Sequence, residues 1–501
     1  MTGLIIGLRY DIEAISNTRV KQKILLKGKD IAPKFGTSGL RGLVIELTDS
    51  LIADYVTAFV ATCDMGTAVC VGWDLRRSSP QIARTIITTI RSHGLTAIEC
   101  GEVPTPALAL TSMKEGAAAI MITGSHIPAD RNGLKFYLPD GEISKADENR
   151  ILAALGQSAQ MAETPGAHKV VTDCLAQYQQ RYVTAFGTMA LAGLRLGIYE
   201  HSSVARDVLA DIVTAMGADA LRLDRSDTFI PVDTEAVDPA MQSQLKAWTS
   251  EHRLDAILST DGDGDRPMLV NETGALVLGD VLGPLTAEFI QAKALCTPVS
   301  SNSMVDQMDG FTQIARTRIG SPFVIAEMEA QLTKDAKIAV VGYEANGGFL
   351  LGFTAQGPAG PLAPLMTRDS VLPMLAPLVL TVQKQKKLSE LTADLPDRFT
   401  AANRITDIEP TVSGPFLQQL ITNTAARSAF FPDLGQHHQI DTTDGLRITF
   451  ATGDIVHLRP SGNAPEFRCY AESDTTAKAS ALVTLYLAKI QALLIQPASQ
   501  N

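Results

Sequence analysis

Short apolar runs alternate with amphipathic segments through the first three-quarters of the chain. Residues 68–73, 95–100 and 117–122 are apolar runs of strand length, and residues 80–91 and 106–114 between them repeat apolar positions at helical spacing. The order predicts β-α-β-α-β, the pattern of a sheet built largely from parallel strands. A helix-like segment at 172–186 leads into a second alternation, with strands at 194–199 and 255–258 and helices at 204–216 and 240–252. A third begins after Gly279 and Asp280, passes through a strand at 337–341 and closes with a helical stretch over 369–384.

The pattern changes at the Lys- and Gln-rich stretch 383–387, which reads as a hinge. From Phe399 onward the order is strand, helix, then strands at 446–450 and 455–458 joined by Ala-Thr-Gly-Asp, a hairpin signal. Asp474 is placed to cap a last helix that aligns Leu482, Leu485, Tyr486, Ile490 and Leu493 on one face. The chain therefore divides into three α/β units, 1–171, 172–278 and 279–387, and an α+β unit, 388–501. The common layout of the first three suggests one module used three times.

At 501 residues this division fits the expectation of about one domain per ~150 residues. Hydrophobic residues make up 45% and charged residues 19%, the composition of a globular protein rather than a disordered one. A net charge of -11 argues against a nucleic-acid partner, while leaving room for an anionic small molecule held by local Arg and Lys. The six cysteines form no Cys-x-x-Cys pair, so neither a disulfide framework nor a thiolate zinc site is expected, and a reducing cytoplasm fits. The apolar stretch 4–8 lacks a preceding basic region, and the run 371–382 is too short to span a bilayer, so no membrane association is expected.

Five polar loops carry the candidate chemistry. Ser125 lies in Thr123-Gly-Ser-His126, directly after the strand at 117–122, where an α/β sheet presents side chains to a ligand. Asp261-Gly-Asp-Gly-Asp-Arg266 sets three carboxylates at alternate positions, able to converge on one hard divalent cation and leave places for water or phosphate oxygens. A calcium loop of the EF-hand kind is disfavoured because Arg266 stands where that loop needs glycine and the flanks read as strands. Ser125 has no Gly-x-Ser-x-Gly elbow, and the adjacent His126 is poorly placed as its base, so a phosphoryl carrier working with the metal loop fits better than a hydrolase nucleophile. Glu344 and Asn346, in Gly342-Tyr-Glu-Ala-Asn-Gly-Gly348, could bond sugar hydroxyls. Arg459, Ser461, Gly462, Asn463 and Arg468 supply guanidiniums, a hydroxyl and amides suited to phosphate. Lys34-Phe-Gly-Thr-Ser-Gly-Leu-Arg-Gly42 adds Arg41. The remaining histidines, including the neighbours His437 and His438, read as structural or surface residues.

Taken together and in this order, these loops closely resemble the motifs of the α-D-phosphohexomutase family. The resemblance covers nearly the whole chain and implies three related α/β domains with mixed sheets, plus a C-terminal α+β domain, around a central cleft. It implies reversible phosphoryl transfer between hexose 1-phosphate and hexose 6-phosphate through a 1,6-bisphosphate, with that bisphosphate as activator. Ser125 would be the phosphoserine, and Asp261, Asp263 and Asp265 would hold one magnesium ion together with a phosphoserine oxygen. Arg41, His126 and Lys135 would serve proton transfer and charge balance. Arg266, Glu344 and Asn346 would bind the sugar, with Arg459, Ser461, Gly462, Asn463 and Arg468 on the distal phosphate. The implied protein is a cytoplasmic monomer or homodimer.

Two loops depart from the common family pattern. The sugar loop usually reads Gly-Glu-x-Ser-Gly-His, but Asn346 stands for the serine and Gly348 for the histidine; the phosphate loop continues Asn463-Ala-Pro465 in place of Asn-Thr-Glu-Pro. This variant is most similar to members acting on mannose phosphate, with glucose and glucosamine phosphates as alternatives. A phosphatase of the haloacid dehalogenase type, using Asp261 or Asp263 as nucleophile, is the rival that dispenses with Ser125.

Overall fold

The computed structural model describes residues 33–36, 39–157, 161–461 and 466–494. The expected features at 4–8 and at Gly462 and Asn463 lie outside the described residues, as do Thr37 and Ser38.

Three sheets share one strand order. In the first, Ala97–Glu102, Val69–Trp73 and Ala118–Ile122 run parallel, and Arg131–Leu138 returns antiparallel beside Ala118–Ile122. The second repeats this with Asp219–Arg225, Arg195–His201, Ala256–Thr260 and the antiparallel Pro267–Asn271. The third uses Gln313–Thr317, Ala294–Pro298, Val340–Tyr343 and the antiparallel Phe349–Leu351. The chain thus makes the same move three times: an apolar strand, buried along its whole length, ends in a short loop and turns back on itself. Those loops hold Ser125, the three aspartates and Glu344. The mixed character arises here, because a short return can only be antiparallel, whereas parallel neighbours need a crossover helix.

The C-terminal sheet is wholly antiparallel, in the order Phe399–Thr406, Glu466–Ser473, Ile455–Pro460, Leu446–Phe450, His437–Asp441. The helix Thr476–Leu494 lies on it. By length and composition this helix could cross a bilayer, which the run at 371–382 could not, but it buries Leu482, Val483, Tyr486, Leu487 and Ile490 in the core of this domain.

Several boundaries differ from the sequence pattern for local reasons. The strand expected at 337–341 is Val340–Tyr343, because the Lys337 N–H bonds Oδ1 of Asp335 at 2.9 Å and the chain is still turning there. The helix expected from 369 begins at Leu372; Asp369 ends the strand Leu365–Asp369 and accepts the Val371 N–H. The last helix is capped by Thr475, whose Oγ1 takes the Lys478 N–H, while Asp474 accepts from Ser473. Its buried face is also rotated from the expected one, leaving Leu485 and Leu493 exposed.

Hydrogen bonds between domains hold the loops in fixed relation to one another. The helix Cys174–Phe186 sends the Tyr178 hydroxyl to Oδ1 of Asp369 at 2.6 Å, and the Tyr182 hydroxyl to Oδ2. Ser370 Oγ donates to the Gly264 carbonyl at 2.7 Å. Glu142 of the first domain accepts from Thr367 and Ser321 of the third, both at 2.9 Å.

His201 ends a central strand in the left-handed region, with φ 29°, and its ring is buried with Nε2 on the Thr260 carbonyl at 2.9 Å. Burial lowers its pKa from 6.5 to about 4. Above pH 6.5 both folded and unfolded states are neutral; below it the unfolded chain takes up a proton that the folded one refuses, so this contribution to stability falls as pH drops toward 4. His201→Asn, which tolerates the backbone, should flatten the acid limb of the stability–pH curve by up to about 3 kcal/mol, read by denaturant unfolding from pH 7 to 4. An unchanged acid limb would contradict this account.

Candidate active site

Ser125 is presented in a strained, fully determined conformation. Its φ of 53° lies in the left-handed region that non-glycine residues avoid, and its N–H bonds the Thr123 hydroxyl at 2.7 Å. Arg76 holds the loop from beneath. This buried guanidinium donates to the carbonyls of Ser125, Ile127, Pro128 and Arg131 at 2.9, 2.6, 2.7 and 2.9 Å, pairs with Asp74 at 3.1 Å, and lies under the Phe229 ring at 3.9 Å. Gly124 has to be glycine for the same reason: a Cβ there would come within 2.7 Å of the guanidinium.

The Ser125 hydroxyl donates to Oδ2 of Asp261 at 2.5 Å, so the serine and metal loops meet directly. All three aspartates are buried, and one oxygen from each lies within 4.8 Å of the others. Lys135 reaches Oδ2 of both Asp263 and Asp265 at 2.6 Å, and Thr105 donates to Oδ2 of Asp263 at 2.7 Å. The other oxygens, Oδ1 of Asp263 and Oδ1 of Asp265, are buried with no hydrogen-bond partner. Orphaned carboxylate oxygens at this depth are costly, and a hard divalent cation is the ligand that would relieve them. The donor set therefore fits magnesium. Burial, reinforced by Asp263 and Asp265, raises the Asp261 carboxyl well above the ordinary range. Burial pushes Asp263 the same way, but Lys135 overrides it and holds that carboxyl well below normal.

His126 points toward the same centre. Arg266 Nη1 lies 3.1 Å from its Nδ1. A guanidinium only donates, so Nδ1 accepts and the neutral ring carries its proton on Nε2; Ser125 Oγ lies 3.3 Å from the same nitrogen, but its single proton is donated to Asp261 Oδ2 at 2.5 Å, so the longer contact makes no nucleophile–base pair. Burial, then Arg266 and Arg41, lower the His126 pKa to about 2. Arg41 sits on the strand Leu40–Leu43 opposite Gly133, and burial together with Arg266 brings it down to about 10.

The sugar loop is tied in from the third domain. Glu344 is buried, with Oε2 3.4 Å from Arg368 Nη1. Asn346 is also buried, but its Oδ1 accepts the Gly348 N–H at 2.9 Å, so that oxygen serves the turn and only the amide nitrogen could donate to a sugar. From the fourth domain, Arg459 pairs with Oδ1 of Asp444 at 3.4 Å, while Oδ2 of the same carboxylate accepts the Ile319 N–H of the third domain at 2.9 Å. Ser461 is buried beside it, and Arg468 pairs with Glu466 at 3.0 Å. Sequence reasoning missed Arg76, Thr105 and Arg368. Each acts on partners far away in the chain, and none carries a local signal.

This geometry can now be set beside known proteins. Models of phosphoglucomutase/phosphomannomutase match at residues 32–161 for alpha/beta/alpha domain I, 273–399 for domain III and 385–485 for the C-terminal domain. The chain belongs to this family. It is an isomerase of the phosphohexomutase kind. The chain is similar to a phosphomannomutase of Sinorhizobium fredii, 43% identical over 93% of this chain and 100% of that one. It is likewise similar to one of Salmonella muenchen, 41% identical over 92% and 96%. A solved phosphoglucomutase/phosphomannomutase family protein of Burkholderia thailandensis shares the fold, with a TM-score of 0.71 at 19% identity over 91% of this chain and 97% of that one.

Replacing Arg76 by Ala would leave the buried Asp74 carboxylate without its paired cation, held only by Ser79, Thr123 and the backbone N–H of residue 76, and would take the guanidinium from four carbonyls of the loop. The expected loss is about 3 kcal/mol or more, read as a shift of the first denaturant transition. A loss below about 0.5 kcal/mol, the range of neutral surface changes, would show that Arg76 does not hold the loop.

Proposed function

We propose that the protein is a magnesium-dependent phosphomannomutase that interconverts mannose 1-phosphate and mannose 6-phosphate through a phosphoserine at Ser125. The observation that carries this reading is the 2.5 Å contact between Ser125 Oγ and Asp261, next to two buried carboxylate oxygens without partners. A phosphatase using Asp261 or Asp263 would leave Ser125 and its strained backbone without a role.

In the proposed cycle, O6 of mannose 1-phosphate attacks the phosphorus on Ser125. The O6–P bond forms, the Oγ–P bond breaks, and the hydroxyl proton of O6 ends on Ser125 Oγ, where the hydrogen bond to Asp261 Oδ2 receives it. The 1,6-bisphosphate then turns over in the cleft. Ser125 Oγ takes the phosphoryl group from O1, its proton passes to O1, and mannose 6-phosphate leaves. Magnesium, held by Asp261, Asp263, Asp265 and a phosphoserine oxygen, would draw off charge from the transferring group. Lys135 balances Asp263 and Asp265. Neutral His126, its Nδ1 occupied by Arg266, orients rather than accepts, and Arg41, still cationic at neutral pH with its pKa brought down to about 10, balances charge beside the transferring group. Glu344 and the Asn346 amide bond the sugar, and Arg459, Ser461, Gly462, Asn463 and Arg468 grip the phosphate that is not reacting. Hexose 1,6-bisphosphate primes Ser125.

We place the enzyme in the cytoplasm, since its six cysteines are all free and five are buried. We propose domain boundaries near 171, 278 and 387, which no sheet crosses.

The test is to follow 6-phosphate formation from mannose 1-phosphate and, in parallel, glucose 1-phosphate, with magnesium and a trace of hexose 1,6-bisphosphate. Mannose should turn over faster, and Ser125→Ala should lose about 10³-fold or more. Faster glucose turnover would change the sugar and keep the mechanism. Free phosphate without 6-phosphate, undiminished in Ser125→Ala, would replace the mutase by the phosphatase.

A further inference from the structure

Arg368 lies outside every motif of the sequence, yet it joins two of them. It leaves the strand Leu365–Asp369 at only 3% exposure. Its Nε and Nη2 lie 3.1 and 2.8 Å from Oδ2 of Asp265, and its Nη1 lies 3.4 Å from Oε2 of Glu344. One planar fork thus spans a metal-loop carboxylate from the second domain and a sugar-loop carboxylate from the third. Such a double reach suits a guanidinium and not an ammonium.

Gly348 explains how the fork gets there. A Cβ at this position would lie 2.8 Å from both Cγ and Cδ of Arg368 and 3.0 Å from its Cβ, closer than carbon atoms pack. The glycine that stands for the family's usual histidine is therefore the opening through which the arginine stem passes. The side chain missing from the loop at Gly348 is thus replaced in space by one from the neighbouring strand.

We propose that Arg368 is a positioning residue for the phosphosugar, holding Glu344 at a fixed place relative to the metal loop and filling the space vacated at Gly348. A bisphosphate intermediate has to be received in two orientations by one set of groups. Locking the hydroxyl acceptor to the phosphoryl-transfer loop gives both orientations the same frame. This rests on the mutase reading and adds to it the residue that sets sugar placement.

The test uses the Ser125→Ala protein, which binds without turning over, and measures the affinity for mannose 1-phosphate by calorimetry; thermal melting checks that each variant folds. Arg368→Ala should weaken binding about 100-fold, and Arg368→Lys, which keeps the charge but not the fork, about tenfold. Gly348→Ala should weaken it about tenfold by displacing the arginine. The double variant Gly348→Ala, Arg368→Ala should bind no worse than Arg368→Ala alone, because the two nearest atoms, Cγ and Cδ, are then gone and only the alanine Cβ at 3.0 Å stays close to the added methyl. In the active enzyme, Arg368→Lys should raise KM more than it lowers kcat. If Arg368→Ala does not fold, Arg368→Lys and Gly348→Ala carry the test. Affinities of both within about twofold of the parent, or losses that multiply in the double variant, would overturn the proposal. A wild-type protein without mutase activity would instead overturn the function on which it rests.

Discussion

Lys135 bonds two aspartates at 2.6 Å in a place where all three side chains are buried, and the rest of the molecule is arranged around that fact. Removing an ion from water costs several kcal/mol, and only close opposite charge and complete hydrogen bonding repay it. The site meets this demand by alternating sign. Asp74 is matched by Arg76, Asp263 and Asp265 by Lys135, and Asp265 and Glu344 by Arg368. These partners come from three different sheets, so the charges balance only if the three domains keep their mutual placement. The bonds of Tyr178 and Tyr182 to Asp369, next to Arg368 in the chain, serve that placement. So does the apolar core, which is continuous from Ala68 through Leu258 to Leu375.

The same alternation leaves Oδ1 of Asp263 and of Asp265 short of partners, and Ser125 is strained at their edge. Strain of this kind persists only where the surroundings over-determine it. Here Arg76 gathers four carbonyls of the loop, and Gly124 clears its path. The hydroxyl is therefore fixed before any substrate arrives, and a phosphoryl transfer that depends on positioning and electrostatics needs little else from it.

Much of this was legible in the sequence because the module is local. An apolar run such as Ala118–Ile122 followed by a polar, glycine-bearing loop marks both a buried strand and the functional loop at its end. The three repeats of that pattern located Ser125, the aspartates and Glu344. What escaped were relations across the chain. Arg76 looks like any arginine after a strand, and its role appears only when the loop 123–131 folds over it. Arg368 and Gly348 are twenty residues apart, and only packing reveals that one requires the other. Asn346 shows the converse: its spacing suggests a sugar contact, while its oxygen is engaged by the Gly348 N–H in closing the turn. Capping misled for a simpler reason. Asp474 and Thr475 are both good caps, and Ser473 engages the first, leaving the helix to the second.

The fourth domain stands apart in the forces that attach it. Its apolar core, from Ile408 to Ile490, is separate from the core shared by the first three. Its joints to the third domain include polar contacts: Asn302 to the Arg398 carbonyl at 2.8 Å, the Ser303 N–H to Glu472 at 2.9 Å and the Ile319 N–H to Asp444 at 2.9 Å. A hydrogen bond exchanged for one to water changes stability by only about 1 kcal/mol, whereas parting an apolar core costs in proportion to the area exposed. The reacting groups thus sit on the part of the molecule that is hardest to deform, and Arg459 and Ser461 on the part that is easiest to displace. That division suits a catalyst which has to exclude water while a phosphoryl group moves, and yet let go of a doubly charged product.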